Sequence, residues 1–179
     1  MAQFKAFSPA VEVKGAAVLA IVEGMGAFRA TALRMLAKYG MTDLRSNEWY
    51  SQQAWLDTFR DIAGVMGAPV LQVIGNKIPL TATWPDDIQT IEEALTSIDA
   101  AYHLNHRGGE IGHYRLSVTG PRSGQFHCDN PYPCDFDRGI IEGTGRRFAP
   151  KEIFFLVKHD ETQPCRKRGD DACLYQVTW

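Results

Sequence analysis

Four cysteines are the residues of this chain whose side chains can do the most chemistry. Cys128 and Cys134 enclose five residues, and Cys165 and Cys173 enclose seven. Thiolates bind thiophilic metal ions and attack electrophiles, whereas protonated thiols pack as small apolar groups. Neither spacing is that of a standard zinc finger, so the chemistry depends on whether the fold brings the four side chains together.

The pattern of the C-terminal half predicts that the fold does so. Apolar and polar residues alternate around Tyr114, Leu116 and Val118, which is typical of a strand with one buried face. Periodicity and turn signals predict strands at 113–119 and 125–128, a helix at 135–148, and strands at 151–159 and 172–178. Because a connecting helix carries the chain back along the sheet, the strand at 151–159 should run roughly parallel to the strand that ends at Cys128. All four thiols are then expected at one edge of the sheet.

Four converging thiolates suit a tetrahedral metal ion. We therefore expect zinc as the cofactor, bound by Cys128, Cys134, Cys165 and Cys173 at about 2.3 Å per bond. Four protein ligands would close the coordination shell and make the site structural. The alternatives are four buried, inert thiols and, less favoured, an iron–sulfur cluster.

The N-terminal half is dominated by helical patterns. They predict one helix from Lys14 to Lys38, a second from Asn47 to Gly67, a β-branched extended segment at 70–78, and a third helix from Pro85 to Tyr102. The expected fold is therefore α+β, with N-terminal helices packed on an antiparallel or mixed sheet and one crossover helix. The length predicts one domain, 1–179, with a helical part at about 1–108 and a sheet and cysteine-site part at about 109–179.

The junction between the third helix and the sheet is where we expect a pocket for a small hydrophobic ligand. The candidate ligand-binding residues are Trp55, Phe59, Tyr102, Tyr114 and Leu116. The alternative is that these side chains simply close-pack, as most apolar stripes do. Only a cavity distinguishes the two.

Histidines offer two weaker possibilities. His103 and His106 lie near the end of the third helix and could share a metal ion, although interaction with the terminal helix carbonyls is favoured. His127 neighbours Cys128, but adjacent strand residues point to opposite faces, which disfavours a thiolate–imidazole catalytic pair. No P-loop, HExxH or GxSxG sequence is present, so we name no catalytic residue and favour a non-enzymatic role.

The charge balance disfavours polyanionic partners. Nineteen basic and twenty-one acidic residues give a formal net charge of -2, so neither nucleic acid nor an anionic membrane is an expected partner. The apolar stretch 16–22 lacks a basic leader and a cleavage site, which favours a core helix and a cytoplasmic location. Small and apolar residues on several faces of the first helix predict a homodimer through that helix.

The closing run CRKRGDDACLYQV, with Cys165, Gly169, Cys173 and Tyr175, resembles the C-terminal signature of 4-vinyl reductase domains. The preceding NPYPCDFDRGIIEGTGRRF, a loop leading into a glycine-containing helix, is also similar to that family. The resemblance implies an α+β fold shared with heme nitric-oxide sensor-associated and vesicle-tethering proteins, usually dimeric, with an apolar pocket. It also implies zinc held by cysteines and a carboxylate. No acid occupies the expected position, from which Glu161 is one residue away, so the ligand set is either four cysteines or three cysteines and an acid.

Together these observations predict a sensor-type signalling domain that binds a small hydrophobic or aromatic ligand and carries a structural metal site formed by cysteines. One alternative is a thiol- or metal-dependent hydrolase or reductase that acts on a small heterocyclic or tetrapyrrole substrate. A second alternative is a purely structural dimer.

Overall fold

The computed structural model describes residues 3–179. Its N-terminal elements are β1 (Glu12–Lys14), α1 (Gly15–Gly24), α2 (Arg29–Lys38), β2 (Trp49–Ser51), α3 (Gln52–Met66), α4 (Pro69–Gly75), α5 (Ile78–Thr81), α6 (Ile91–Thr96), α7 (Ile98–Leu104) and β3 (His106–Arg107). The C-terminal elements are β4 (Tyr114–Gly120), β5 (Ser123–Cys128), α8 (Cys134–Phe148), β6 (Leu156–His159) and β7 (Cys173–Thr178). Short 3-10 turns lie at Gly26–Phe28 and Arg166–Arg168.

The strands form two antiparallel sheets. The small sheet has the order β2-β1-β3, and the larger one has the order β4-β5-β7-β6. Because β7 pairs antiparallel with both β5 and β6, these two strands run parallel with β7 between them, and α8 connects them. The prediction of an α+β fold with one crossover helix is therefore confirmed.

The crossover helix α8 packs closely on α4 because glycines meet at the crossing. A Cβ atom on Gly139 would lie 2.3 Å from the Gln72 carbonyl oxygen and 2.9 Å from the Gly75 Cα. Both neighbouring atoms belong to the backbone, so neither can rotate away. The two helices can approach this closely only without side chains at these positions.

The single helix predicted at 14–38 is wrong. The chain bends by 110° between α1 and the segment from Gly26 onward, where Gly26 adopts a φ of 46°. The helix α1 is mostly buried inside the chain, so Ala17 and Ala20 are used for internal packing, whereas Ala30 in α2 is exposed. A dimer through this segment therefore stays a prediction.

No single helix among residues 3–179 is long and apolar enough to cross a bilayer. Gly15–Gly24 and Gly26–Lys38, which are bent by 110° relative to each other, have that length and composition only when taken together.

Two further predictions of local structure are wrong. The β-branched segment at 70–78 forms α4 and the start of α5, with Pro69 at the first helical position, because packing on α8 outweighs its strand propensity. The third helix does not begin at Pro85. It begins at Ile91 after a capping box formed by Thr90 and Glu93, and Ser97 separates α6 from α7.

Candidate functional site

Three cysteines and one histidine meet at the edge of the larger sheet. The Sγ atoms of Cys134 and Cys173 are 3.1 Å apart, those of Cys134 and Cys165 are 3.5 Å apart, and those of Cys165 and Cys173 are 3.8 Å apart. One ring nitrogen of His159 completes a group whose ligand atoms all lie within 4.8 Å of one another. Tetrahedral bonds of about 2.3 Å place thiolate sulfurs about 3.8 Å apart, so this geometry is close to that of a metal site. We refer to these four residues as the thiol cluster.

Three residues of the thiol cluster lie at the ends of elements, and the fourth lies in a loop. Cys134 begins α8, Cys173 begins β7, and His159 ends β6. Cys165 lies in the loop between β6 and β7, where its amide donates to Asp170 at 2.7 Å. The larger sheet and its crossover helix therefore bring the four side chains together.

Cys128 is buried but does not join the thiol cluster. Burial raises the pKa of its thiol well above the usual range, and the Asp137 carboxylate raises it further. The predicted set of four cysteines is therefore brought together only in part, and His159 occupies the fourth place. The sequence signal for His159 was its position at the end of a predicted strand, beside the loop that carries Cys165.

Protonation within the thiol cluster is uneven. The pKa of Cys173 is lowered, first because its sulfur accepts a hydrogen bond from Cys134 and also because the Arg166 guanidinium lies nearby. The pKa of Cys134 is raised, since it holds the shared proton and is largely buried. The Arg166 guanidinium thus favours the thiolate form of the sulfur that lies beside it.

A buried ion pair lies beneath the thiol cluster. The side chains of Arg166 and Asp137 are both 0% exposed and contact each other directly. Arg166 Nε also lies 3.5 Å from the Cys173 sulfur, and the Tyr114 hydroxyl donates to Asp137 at 2.6 Å. Burial raises the pKa of Asp137 to about 6, although Arg166 and Tyr114 oppose the shift. Polar contacts thus run from the cluster to Tyr114.

Tyr114 also lines an apolar cavity between the N-terminal helices and the larger sheet. The cavity has a volume of about 40 Å³ and an almost entirely apolar surface. It is lined by Ala17, Trp55, Ile78, Ala82, Trp84, Ile98, Ala101, Tyr102, Asn105, His106, Tyr114, Tyr132, Phe136 and Ile140. A dry apolar cavity of about 150 Å³ is known to bind benzene or xenon, so this one suits a smaller molecule or needs modest side-chain movement.

Most polar groups around the cavity already have partners. The Tyr102 hydroxyl donates to the Ile111 carbonyl at 2.6 Å. His106 Nδ1 lies 2.7 Å from the Tyr102 carbonyl, and His106 Nε2 lies 2.6 Å from the Tyr132 hydroxyl. Burial lowers the pKa of His106 to about 4, so the imidazole is neutral at pH 7.

Trp55 is the exception. Its side chain lines the cavity and is 1% exposed, yet its indole Nε1 has no hydrogen-bond partner among residues 3–179. The ring is held by aromatic neighbours, with Phe59 and Tyr132 centroids at 4.9 Å and 5.3 Å. An unpaired buried donor carries a desolvation cost of about 1–3 kcal/mol, which a ligand with an acceptor atom would relieve.

The residues predicted to bind a ligand divide into two groups. Trp55, Tyr102 and Tyr114 line the cavity, whereas Phe59 packs behind Trp55 and Leu116 lies outside the lining. Whether any of them contacts a ligand stays a prediction. Trp84 was not among the predicted ligand-binding residues, because a lone aromatic carries no spacing signal, and His106 was considered only as a possible metal ligand with His103.

Comparisons with known proteins identify the fold. No family model matches the chain, and none of the curated proteins matches it. A crystal structure of an H-NOX protein from S. oneidensis in the Fe(II)NO ligation state matches with a TM-score of 0.66 and 15% identity, covering 92% of this chain and 97% of that one. A mutant H-NOX of T. tengcongensis matches with a TM-score of 0.65 and 12% identity, covering 92% and 96%. A structure concerned with heme distortion in the H-NOX family has the same TM-score and identity, covering 93% and 94%. The chain therefore has an H-NOX-like fold.

Two expectations are corrected by this result. The resemblance to 4-vinyl reductase domains is wrong, because the matching solved structures are H-NOX domains and no family model supports that family. In this chain, two cysteines of that short signature, Cys165 and Cys173, lie at the edge of the larger sheet of an H-NOX-like fold. The zinc expectation is likewise corrected, because the descriptions of the neighbours point to heme iron and not to zinc.

The residues around the cavity of this chain do not fit a heme. Pockets for drug-sized ligands measure about 300–1,000 Å³, far more than the 40 Å³ present here. Both nitrogens of His106 and the hydroxyl of Tyr102 are already engaged within the chain, which leaves no free axial ligand among them. No lysine or arginine is among the described lining residues to pair with the carboxylates of the heme.

Proposed function

We propose that this chain is a sensor-type domain whose cavity binds a small, mainly apolar molecule with one hydrogen-bond acceptor. The observation that carries this proposal is that Trp55, which lines an apolar cavity, has a buried indole N–H with no hydrogen-bond partner among residues 3–179. The H-NOX neighbours support the sensor class, since one of them is described with NO bound to its iron. In this chain, side chains of the same fold would bind the ligand directly.

Size and polarity define the ligand class. The volume of about 40 Å³ limits the ligand to roughly one six-membered ring, and only after side chains move. The other polar groups named above are paired, so a charged or multiply polar ligand would lose solvation without compensation. A ligand with a single acceptor atom would accept a hydrogen bond from the Trp55 indole N–H. Small heteroaromatic compounds, ketones or oxides satisfy this description.

Benzene and pyridine test the proposal because they have nearly the same shape and only pyridine has an acceptor. At a ligand concentration of about ten times Kd, binding stabilises the fold by about 1.4 kcal/mol, which raises Tm by roughly 3–6 °C in a chain of this size. We expect pyridine to give the larger shift in the wild type. Trp55→Phe should remove the difference between the two compounds. Ala101→Leu, which fills the cavity from α7, should abolish both shifts.

Two outcomes would contradict the proposal. One is the absence of any shift in the wild type and also in Ile140→Ala, where the cavity is enlarged. The other is a heme complex of one-to-one stoichiometry that is lost in His106→Gln, because that result would place a tetrapyrrole where we find no room for it. Hemin titration followed by absorption spectroscopy measures the second outcome.

We also propose that the thiol cluster binds a thiophilic metal ion through Cys134, His159, Cys165 and Cys173. The sulfur separations support this assignment, as does His159, whose buried Nε2 has no hydrogen-bond partner among the described residues. Three thiolates and an imidazole favour soft or borderline ions over Mg²⁺ or Ca²⁺. The site would tie the loop before β7 to the start of α8 and so act structurally.

Cobalt(II) is a suitable probe, because tetrahedral thiolate coordination gives intense visible and near-ultraviolet bands. We expect one equivalent of Co²⁺ to produce these bands in the wild type and in Cys128→Ser, but not in Cys165→Ser. Elemental analysis of freshly purified protein identifies the native ion. Equal spectra from Cys128→Ser and Cys165→Ser would contradict the assignment.

A further inference from the structure

A second group of metal-binding side chains lies outside both sites described so far. Asp99 and His103 belong to α7, and His113 immediately precedes β4. One ligand atom from each of the three lies within 4.8 Å of the others. His113 Nδ1 is 3.2 Å from Asp99 Oδ2, and His103 Nδ1 is 3.7 Å from the same oxygen. The sequence analysis paired His103 with His106, but His106 points into the cavity.

We propose that Asp99, His103 and His113 bind a divalent first-row transition-metal ion that bridges α7 and β4. Bonds of about 2.0–2.2 Å from nitrogen and oxygen ligands place neighbouring ligand atoms about 3.0–3.5 Å apart. The 3.2 Å between His113 Nδ1 and Asp99 Oδ2 already lies in this range, and the ligand atoms of all three residues lie within 4.8 Å of one another. The centroids of the two imidazole rings are 5.0 Å apart, and the ring planes are tilted by 35°.

Surrounding hydrogen bonds orient each ligand. Asp99 Oδ1 accepts the Tyr114 amide at 2.8 Å, which fixes the carboxylate. The Asp99 carbonyl lies 2.8 Å from His103 Nδ1, so the proton is on Nδ1 and Nε2 keeps a lone pair for a metal ion. The His113 amide donates to Asp129 at 2.8 Å, which holds the backbone of that residue. Metal-binding histidines are commonly oriented by bonds of this kind from the other ring nitrogen.

The donor set defines the class of ion. Two imidazoles and one carboxylate without sulfur suit Ni²⁺, Cu²⁺, Co²⁺ or Fe²⁺, whereas the thiol cluster selects softer ions. The side chains are 33–42% exposed, so an ion can enter from solvent. Three protein ligands leave coordination positions open for water or a small anion. The ion would connect α7 with the start of β4. Tyr102 and Tyr114, which are adjacent in sequence to His103 and His113, line the cavity.

Nickel(II) tests the site without depending on the cavity or on the cysteines. We expect untagged wild-type protein to bind Ni²⁺ with broadening of the His103 and His113 imidazole NMR signals. His103→Gln and His113→Gln should each weaken binding at least tenfold, and Asp99→Asn should do the same. His127→Gln is the matched control, because His127 is exposed on β5 and does not belong to this group. Its affinity should equal that of the wild type.

Sulfur-to-nickel charge-transfer absorption separates this site from the thiol cluster. We expect the Ni²⁺-dependent imidazole broadening to persist unchanged in Cys165→Ser. The proposal is overturned if His103→Gln and His113→Gln, both folded by circular dichroism, bind Ni²⁺ as tightly as the wild type. It is also overturned if all bound Ni²⁺ shows thiolate absorption and is lost in Cys165→Ser.

Discussion

The same glycine-to-alanine change should have opposite effects at two helical positions of this chain. At Gly139 in α8, the new methyl group would lie 2.3 Å from the Gln72 carbonyl oxygen, whereas ordinary contacts begin at 3.4 Å. Relief requires a shift of roughly 1 Å between α8 and α4, and overpacking of this kind costs about 1–3 kcal/mol. Alanine returns up to about 1 kcal/mol through helix propensity. We expect a net loss of about 1–2 kcal/mol in the free energy of unfolding.

Gly64 in α3 is the matched control. A Cβ atom there meets nothing within 4 Å, and the residue lies within a helix with an ordinary backbone conformation. Gly64→Ala should therefore raise the free energy of unfolding by about 0.5–1 kcal/mol. Urea denaturation of both variants at pH 7 measures the difference. If Gly139→Ala is as stable as the wild type, or if both variants shift in the same direction, the close crossing of α4 and α8 is incorrect.

Three further predictions concern Cys165, His106 and the first helix. Cys165→Ser should lower the thermal stability of metal-loaded protein, whereas in metal-free protein it should have little effect beyond the loss of one sulfur. Differential scanning calorimetry with and without a chelator measures the two effects. Equal effects in both forms would argue against metal ligation. The pKa of His106 is lowered from 6.5 to about 4, so its contribution to stability is complete above pH 6.5 and declines as the pH falls toward 4. Between pH 7 and pH 4.5 we expect the free energy of unfolding to fall by about 2–3 kcal/mol from this residue. Urea denaturation at the two pH values measures the loss, which should be absent in His106→Gln. Light scattering at micromolar concentration should show that any dimer survives substitution of Ala16 by Glu, since most of α1 is buried; a dimer dissociated by that change would restore this helix as the interface.

The sheet half of the fold was predictable because its signals are local. Alternation around Leu116 and the turn at 120–123 mark a hairpin, and the pattern at 135–148 agrees with α8 to within one residue. The N-terminal half depends on tertiary contacts. The β-branched run that becomes α4 is helical because glycine contacts with α8 stabilise it there, and no local rule contains that information. Periodicity alone likewise predicts a continuous helix through the bend at Gly26.

The candidate sites were predictable to a different degree. Topology predicted that Cys134, Cys165 and Cys173 lie at one edge of the sheet, because Cys134 and Cys173 begin elements and Cys165 lies in the loop before β7. The place of His159 depends on side-chain direction at the last residue of β6, which a sequence does not fix. The approach of His113 to Asp99 depends on the register between a helix and a strand, and spacing along the chain gives no measure of it.

In the proposed complex, the Trp55 indole N–H donates a hydrogen bond to a ligand in the cavity. The chain has four tryptophans, so its ¹H–¹⁵N NMR spectrum contains four indole signals, and the one absent from Trp55→Phe belongs to Trp55. During titration with pyridine we predict a downfield shift of this proton that saturates with the thermal stabilisation, while benzene shifts it much less. A Trp55 indole signal that stays unmoved while pyridine stabilises the protein would contradict the account.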